Sequence, residues 1–415
     1  YAPAWSNWGN ALSNQARSKS GAEADDLFAL SYEKYQEAVR LQPDLAPAWS
    51  NWGNALSDLA KSKSGAEADD LFSLSYEKFQ EAARLQPGLA LAWSNWGAAL
   101  SDQAKTKSGA EADDLFALCY EKYQEAVRLQ PDHAPAWHNW GTALSEQAKS
   151  KRGAAADDLF ALAYEKYQEA VRLQPDDAPA WYNWGTALSE QAKSKSGAEA
   201  DDLFALSYEK YRQAVRLQPD LAPAWSNWGN VLSNQARSKS GTEADDLVAL
   251  CFEKYQEAVR LQPDYAPAWS NWGNALSNQA RSKSGAEADD LFALCYEKYQ
   301  EALRLQPDDA QAWSDWGGAL IIHSYATPPD KANHLLAQAR HCLENGARLD
   351  PKLASYNMAC LEAIENNLSE ALRWLEMSKQ FGKVRSKSQL AAERDFDNIR
   401  ETPEFLLFVT GLPDH

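Results

Sequence analysis

Two adjacent carboxylates, Asp25 and Asp26, recur along the chain and are the side chains best suited to metal binding or acid–base catalysis. In the first copy they follow Ser20 and Glu23, whose spacing is that of a capping box at the start of a helix. Negative charge is favourable at a helix N-terminus, because the peptide dipoles leave partial positive charge there. The position of the pair is thus explained without chemistry, and we assign it no catalytic role.

A second recurring pattern, Trp5 and Trp8, has the composition of an aromatic cage or of a platform for nucleobases. Both tryptophans fall on the apolar side of a predicted helix, beside Gly9, which permits close approach of a second helix. Core packing is therefore the favoured interpretation of the paired tryptophans.

The cysteines and histidines lack the spacing of a metal site or of a disulfide framework. Three cysteines occupy a position that is Ser or Ala in other copies, which predicts a small core residue: Cys119, Cys251 and Cys295. The sequence also lacks a phosphate-binding loop and a nucleophile elbow. We therefore predict no catalytic residue, no cofactor and no metal ion, and we do not expect an enzyme.

The elements that position these residues are set by the segment Ala4–Leu12, whose first tryptophan returns every 44 residues, as from Trp5 to Trp49. The further copies begin at Trp93, Trp137, Trp181, Trp225, Trp269 and Trp313. A period of this size is typical of stacked supersecondary units. We number the repeats one to eight in this order.

Each repeat contains two predicted amphipathic helices of roughly 16 and 20 residues, which we name helix A and helix B. Helix A carries the paired tryptophans, and helix B ends before Pro43, since proline disfavours helix in the residue that precedes it. One such pair cannot close a hydrophobic core alone. The sequence therefore predicts an all-α stack of helix pairs, a solenoid.

The repeat resembles the tetratricopeptide repeat. The residues that carry the resemblance, in the family's order, are Trp5, Trp8, Gly9, Leu12, Ser31, Tyr35, Ala38 and Pro43. The family's unit has about 34 residues, so the extra residues here are expected to lengthen both helices. The resemblance implies a right-handed α-solenoid whose concave surface is lined by helix A.

The predicted boundaries divide the chain into four parts. These are seven near-identical repeats at 1–308, a divergent eighth at 309–352, a shorter ninth at 353–382 and a helical cap at 383–415. In the cap, Phe396, Ile399, Phe405, Leu406 and Val409 are expected to cover the apolar end of the stack. Because the chain starts without methionine, between two units, we also expect it to be part of a longer protein.

The formal net charge of −18 argues against a nucleic-acid backbone as the main ligand and favours partners with basic or neutral segments. No targeting signal or long apolar span is visible in the sequence. Cysteines at core positions fit a reducing compartment, so a cytoplasmic location is expected, with no membrane association.

The resemblance assigns the polar face of helix A, with Ser6, Asn7, Asn10, Ser13, Asn14 and their equivalents, to ligand binding. It predicts an asparagine ladder of Asn7, Asn51, Asn95, Asn139, Asn183, Asn227 and Asn271. Neighbouring candidates are Asn10, Asn54, Asn230 and Asn274, together with Glu146 and Glu190. A carboxamide both donates and accepts hydrogen bonds, which suits a peptide backbone. The alternative is that these asparagines bond the neighbouring helix.

His138 and Tyr182 replace Ser6 in the fourth and fifth repeats. An exposed ring pair is a candidate binding anchor. The alternative interpretation is drift at a solvent-facing position.

The favoured hypothesis is a non-catalytic scaffold that binds an extended peptide or a partner protein. One alternative is self-assembly, in which near-identical repeats stack end to end or form oligomers. RNA binding is disfavoured by the charge and predicts a steep salt dependence.

Overall fold

The computed structural model describes residues 1–412, which form twenty α-helices joined by short turns and no β-strand. The A helices are α1 (Ala2–Ala16), α3 (Ala46–Ala60), α5 (Ala90–Ala104), α7 (Ala134–Lys149), α9 (Ala178–Ala192), α11 (Ala222–Ala236), α13 (Ala266–Ala280) and α15 (Ala310–Ser324). The B helices are α2 (Gly21–Leu41), α4 (Gly65–Leu85), α6 (Gly109–Leu129), α8 (Ala154–Leu173), α10 (Gly197–Leu217), α12 (Thr242–Leu261), α14 (Gly285–Leu305) and α16 (Pro329–Leu349). The remaining elements are α17 (Pro351–Ile364), α18 (Leu368–Gln380), α19 (Lys387–Ala392), a 3₁₀ turn (Arg394–Phe396) and α20 (Pro403–Thr410).

Contacts divide the chain into two units, Tyr1–Gln218 and Pro219–His415. Within each unit, every A helix packs against its own B helix and against the next A helix. A B helix also contacts the A helix that follows it in the same unit. The predicted all-α stack of helix pairs is therefore confirmed. None of the helices in the described range has the length and apolar character needed to cross a membrane.

The turn between the two helices of a repeat depends on a glycine. Gly21, the first residue of α2, has a φ of +61°, which is readily adopted only by glycine. Ser20 precedes it in an extended conformation, and its side chain makes no capping hydrogen bond. Glu23 instead pairs with Lys19 at 2.8 Å. The predicted capping box at Ser20 and Glu23 is therefore wrong.

The glycine of the tryptophan motif lets helix B approach helix A. A Cβ atom added to Gly9 would lie 2.7 Å from the ring of Tyr35, which is closer than real Cβ contacts. Tyr35 is almost fully buried, as are its equivalents Tyr123, Tyr167, Tyr211, Tyr255 and Tyr299. The Gly–Tyr contact thus fixes the distance between the two helices of a repeat.

The paired tryptophans stack on each other and are covered by a lysine of helix B. The ring centroids of Trp49 and Trp52 are 5.7 Å apart, and the Lys78 ammonium lies 4.8 Å from the Trp52 centroid. The Trp49 indole N–H donates to the carbonyl of Pro43 at 2.9 Å, in the preceding turn. Both rings are therefore engaged in packing, as the sequence predicts.

A hydrogen-bonded joint links successive repeats. The Tyr76 hydroxyl donates to Gln103 Oε1 at 2.7 Å, and Gln103 Nε2 donates to Asp69 Oδ1 at 3.0 Å. Asp69 also pairs with Lys107 at 2.7 Å. The equivalent joints are Tyr120–Gln147–Asp113–Lys151, Tyr164–Gln191–Asp157–Lys195 and Tyr296–His323–Asp289–Lys331. The first carboxylate of each Asp–Asp pair thus has an inter-repeat role that its place at a helix N-terminus does not suggest.

We predict that these joints make the protein sensitive to acid. The hydrogen bond from Lys107 lowers the pKa of Asp69 below its ordinary value, and the same cause acts on Asp113 and Asp157. A carboxyl whose pKa is lowered by folding stabilises the folded state above its unfolded pKa, and this stability is lost as the pH falls through the folded pKa. The melting temperature should therefore fall as the pH drops below about 4.

The measurement is thermal unfolding between neutral pH and pH ~3, followed by circular dichroism. Asp69→Asn, Asp113→Asn and Asp157→Asn together should flatten the acid-induced fall in melting temperature. The matched control changes the exposed Glu77, Glu121 and Glu165 to Gln. An equal flattening in the control would show that total charge, and not the joints, causes the sensitivity.

The C-terminal elements pack on the last helix pairs. Phe396, Ile399 and Phe405 are buried in one core cluster with α17 and α18, and Val409 joins them. Leu406 is 47% exposed, so its predicted covering role is wrong, because it points away from the cluster on α20.

Candidate functional site

The A helices present a narrow polar stripe to solvent. Between Ser50 and Ala60 of α3, every residue is buried except Asn51, Asn54 and Asp58. Their spacing of three and four residues keeps them on one helical face. The equivalent residues are Asn7, Asn10, Asn14; Asn95, Ala98, Asp102; Asn139, Thr142, Glu146; and Asn183, Thr186, Glu190 in the first unit. In the second unit they are Asn227, Asn230, Asn234; and Asn271, Asn274, Asn278. We call this set the polar stripe.

The first position of the stripe is the predicted asparagine ladder. Asn7 is exposed, and the other six asparagines are half-buried. Asn95 Nδ2 lies 3.4 Å from Ser50 Oγ, and Asn271 Nδ2 lies 3.3 Å from Ser226 Oγ, in each case a serine of the preceding A helix. Asn51 and Asn139 make no hydrogen bond within the described residues. The ladder thus contains both carboxamides shared with a neighbouring helix and carboxamides open to a ligand.

The side chain at the second position accepts a hydrogen bond from the buried tyrosine of helix B. The Tyr35 hydroxyl donates to Asn10 Oδ1 at 2.7 Å, and Tyr167 donates to Thr142 Oγ1 at 3.1 Å. Asn230 and Asn274 accept in the same way from Tyr255 and Tyr299. These side chains therefore each accept a hydrogen bond within their own repeat. Asn274 Nδ2 also donates to Asp315 Oδ2 of the next A helix at 2.8 Å.

Asn54 is an exception, because its repeat has Phe79 where the other six of the first seven repeats have tyrosine. We predict that Phe79→Tyr adds the missing hydroxyl bond to Asn54 and raises the free energy of unfolding by about 1 kcal/mol. Chemical denaturation measures the change. The same substitution combined with Asn54→Ala removes the acceptor, so an equal gain in the double variant would contradict the explanation.

The third position is acidic in repeats two to five and an amide in repeats one, six and seven. The acidic residue pairs with a lysine three residues later, as in Glu146–Lys149 and Glu190–Lys193, both at 2.6 Å. Asp58 and Asp102 pair in the same way with Lys61 and Lys105. The amides at this position are Asn14, Asn234 and Asn278. The stripe therefore ends in neutralised ion pairs in repeats two to five and in uncharged amides in repeats one, six and seven.

The serines assigned to the binding face lie elsewhere. Ser6 and Ser13 are buried, and so are Ser50 and Ser57 in the next repeat. The first serine position faces the next A helix, from which Asn95 contacts Ser50. The second serine position faces helix B of its own repeat, where Ser13 Oγ lies 3.5 Å from the Tyr35 hydroxyl. The assignment of Ser6 and Ser13 to the groove is therefore wrong, and the exposed face is narrower than predicted.

His138 occupies this buried position and is not an exposed ring. Only 13% of its side chain is exposed, and Nδ1 lies 3.5 Å from Asp177 Oδ2. Its Nε2 atom is 2.7 Å from Asn183 Nδ2 of the next A helix. The half-buried Tyr182 ring lies 5.9 Å from that of Tyr211. Neighbouring helices enclose these side chains. The prediction of an exposed ring pair is therefore wrong, and so is the alternative prediction that the position faces solvent.

Across residues 1–412, no three His, Cys, Asp or Glu side chains converge as they would around a metal ion. Burial raises the pKa of the thiols, that of Cys251 to about 12, so these cysteines are packed as thiols.

Comparisons with known proteins bear on the fold. No family model matches the chain, and a search of curated proteins finds no relative. A solved structure similar to this chain is YrrB, described as a TPR protein with an unusual peptide-binding site, at 16% identity and a TM-score of 0.35. The match covers 56% of this chain and 95% of YrrB. MamA protein is similar at 16% identity and a TM-score of 0.34, over 53% of this chain and 94% of MamA. The described residues form a helical repeat array, and the repeat motif resembles the tetratricopeptide repeat.

Proposed function

We propose that the protein is a non-catalytic scaffold that binds an extended peptide, or an extended segment of a partner protein, along the polar stripe. The observation that carries the proposal is the asparagine ladder, which places one carboxamide outside the core on each of the first seven A helices. Asn51 and Asn139, which have no hydrogen-bond partner within the described residues, offer both a donor and an acceptor. Such groups match the N–H and C=O of a backbone that lacks secondary structure.

The geometry of packed helices sets the expected register of the ligand. Packed helices lie about 8–10 Å apart, and an extended chain advances about 3.3 Å per residue. One carboxamide of the ladder would therefore meet about every third residue of the ligand. Recognition of this kind depends on the backbone, so we expect broad sequence tolerance at most ligand positions.

Charge narrows the class of partner. The net charge of −18 repels phosphate backbones, whereas neutral or basic segments are attracted. On the stripe of the first unit, lysines neutralise the carboxylates of Glu146 and Glu190. A basic ligand would compete with these lysines, so affinity should fall as salt is raised, though less steeply than for a nucleic acid.

The test is a selection of peptides from a random library on the intact chain, followed by calorimetric titration of the selected peptides. Asn51→Ala, Asn95→Ala and Asn139→Ala together should weaken binding by at least about tenfold, since each removes hydrogen bonds to a partly desolvated backbone. The matched control changes Gln80, Gln124 and Gln168 to Ala, three exposed amides on the B helices. Equal affinity of both triple variants would refute the proposal.

A further inference from the structure

The sixth repeat departs from the others at two core positions. Val248 replaces a phenylalanine, and Phe252 replaces a tyrosine one helical turn later. The phenylalanine equivalents in the other repeats are Phe28, Phe72, Phe116, Phe160, Phe204 and Phe292, and all six are buried. Val248 is only half-buried. Both changes lie on α12, at its contact with the seventh repeat.

A cavity of about 640 Å³ that opens to solvent lies beside Val248, between α11, α12 and α13. This volume is in the range of small-molecule sites. Its apolar wall consists of Ala236, Ala244, Val248, Cys251 and Ala275. Val248 is smaller than the phenylalanine of the other repeats, so this wall leaves space that the ring would occupy.

The replacement of the tyrosine breaks the joint between repeats six and seven. In the intact joints a tyrosine hydroxyl donates to the glutamine Oε1, as Tyr120 does to Gln147 at 2.7 Å. Phe252 has no hydroxyl, and Gln279 Oε1 is buried without a hydrogen-bond partner. A buried acceptor left without a donor costs about 1–3 kcal/mol. Gln279 lines the cavity, so a ligand that donates a hydrogen bond would remove this cost.

The rim of the cavity carries two arginines without carboxylate partners. In the first repeat, Arg17 pairs with Asp58 of the next A helix at 2.5 Å. The positions equivalent to Asp58 after Arg237 and Arg281 are Asn278 and Ile322. Within the described residues neither arginine forms an ion pair, and both line the cavity. Guanidinium groups in this state favour an anionic group such as a carboxylate or sulfonate.

We propose that this cavity binds a small anion with an aromatic body. The aromatic body fills the space of the missing phenylalanine ring against Val248, and the anionic group lies against Arg237 and Arg281. A donor on the ligand meets Gln279 Oε1. The cavity adjoins the polar stripe at Asn278, and the proposal does not depend on the function proposed above.

The probe is 8-anilinonaphthalene-1-sulfonate, an aromatic sulfonate with one N–H donor, titrated by fluorescence and by calorimetry. We expect one site on the intact chain. Val248→Phe restores the residue of six other repeats, so the variant should fold, and it should weaken binding at least about tenfold by filling the cavity. Unchanged affinity in a Val248→Phe variant with native circular dichroism would overturn the proposal.

Two further experiments test the role of the anionic group and the location of the binding site. Arg237→Gln with Arg281→Gln should weaken the sulfonate about tenfold and leave the neutral analogue N-phenyl-1-naphthylamine unaffected. Phe116→Val opens an equivalent space in the third repeat, where Tyr120 and Asp102 are retained. This variant should bind the probe with no additional site. An equal loss of affinity for the sulfonate and for the neutral analogue in the arginine variant would show that any apolar void suffices. A second binding site in Phe116→Val would show the same.

Discussion

Replacing Tyr167 with alanine is expected to lower the free energy of unfolding by about 3–5 kcal/mol. Tyr167 is 1% exposed and fills the space between α7 and α8. It packs so closely on Gly141 that an added Cβ there would lie 3.1 Å from its ring. The substitution therefore removes the side chain that sets the spacing of the helix pair.

The measurement is denaturation in guanidinium chloride, with hydrogen exchange to locate the loss of protection. Because each repeat contacts only its neighbours, protection should fall first in α7, α8 and the flanking helices. Tyr167→Phe is the matched control and should cost only about 1 kcal/mol for the bond to Thr142. The second repeat naturally has a phenylalanine, Phe79, at the position equivalent to Tyr167. Comparable losses in the two variants would contradict the role of the ring.

Replacing Arg340 with alanine is expected to lower the free energy of unfolding by about 3 kcal/mol. This value is at the lower end for a buried ion pair, because Arg340 is partly exposed. Arg340 joins α16 to α17, where its Nη1 donates to Glu362 Oε1 at 2.7 Å. Only 5% of the Glu362 side chain is exposed. The variant leaves this carboxylate buried and without its cation, which is the origin of the loss.

Two comparisons isolate this cause. Arg373 pairs with Glu370 on the surface at 2.6 Å, and Arg373→Ala should change the free energy of unfolding by less than about 1 kcal/mol. Adding Glu362→Gln to Arg340→Ala should recover part of the loss, since the uncharged group is less costly to bury. A further decrease in the double variant would mean that packing of the Arg340 stem, and not charge, dominates.

The helix pairs follow from the sequence because their causes are local. The apolar spacing in helix A and the proline after helix B predict elements of roughly 16 and 20 residues, and α1 and α2 have 15 and 21. The start of α2 was harder to predict, because Gly21 begins the helix with a positive φ and thereby turns Ser20 and Glu23 away from capping geometry.

The candidate site was only partly predictable. Helical spacing places Asn51 and Asn54 on one face, but it cannot tell how closely the next A helix approaches. That distance decides that Ser50 is buried and that His138 is enclosed. The inter-repeat joint was also missed, because Asp69 and Gln103 are 34 residues apart and belong to different repeats. A signal was present, since Phe252 and the unsatisfied Gln279 mark a joint from which the tyrosine hydroxyl is missing.

The most direct test of the scaffold proposal is site-specific photo-crosslinking with a selected peptide. A photoreactive phenylalanine at position 95 lies on the polar stripe, and one at position 124 lies on the exposed face of a B helix. We predict a peptide adduct from position 95 and none from position 124. Adducts from position 124 alone, or from neither position with a peptide that binds in solution, would contradict binding along the A helices.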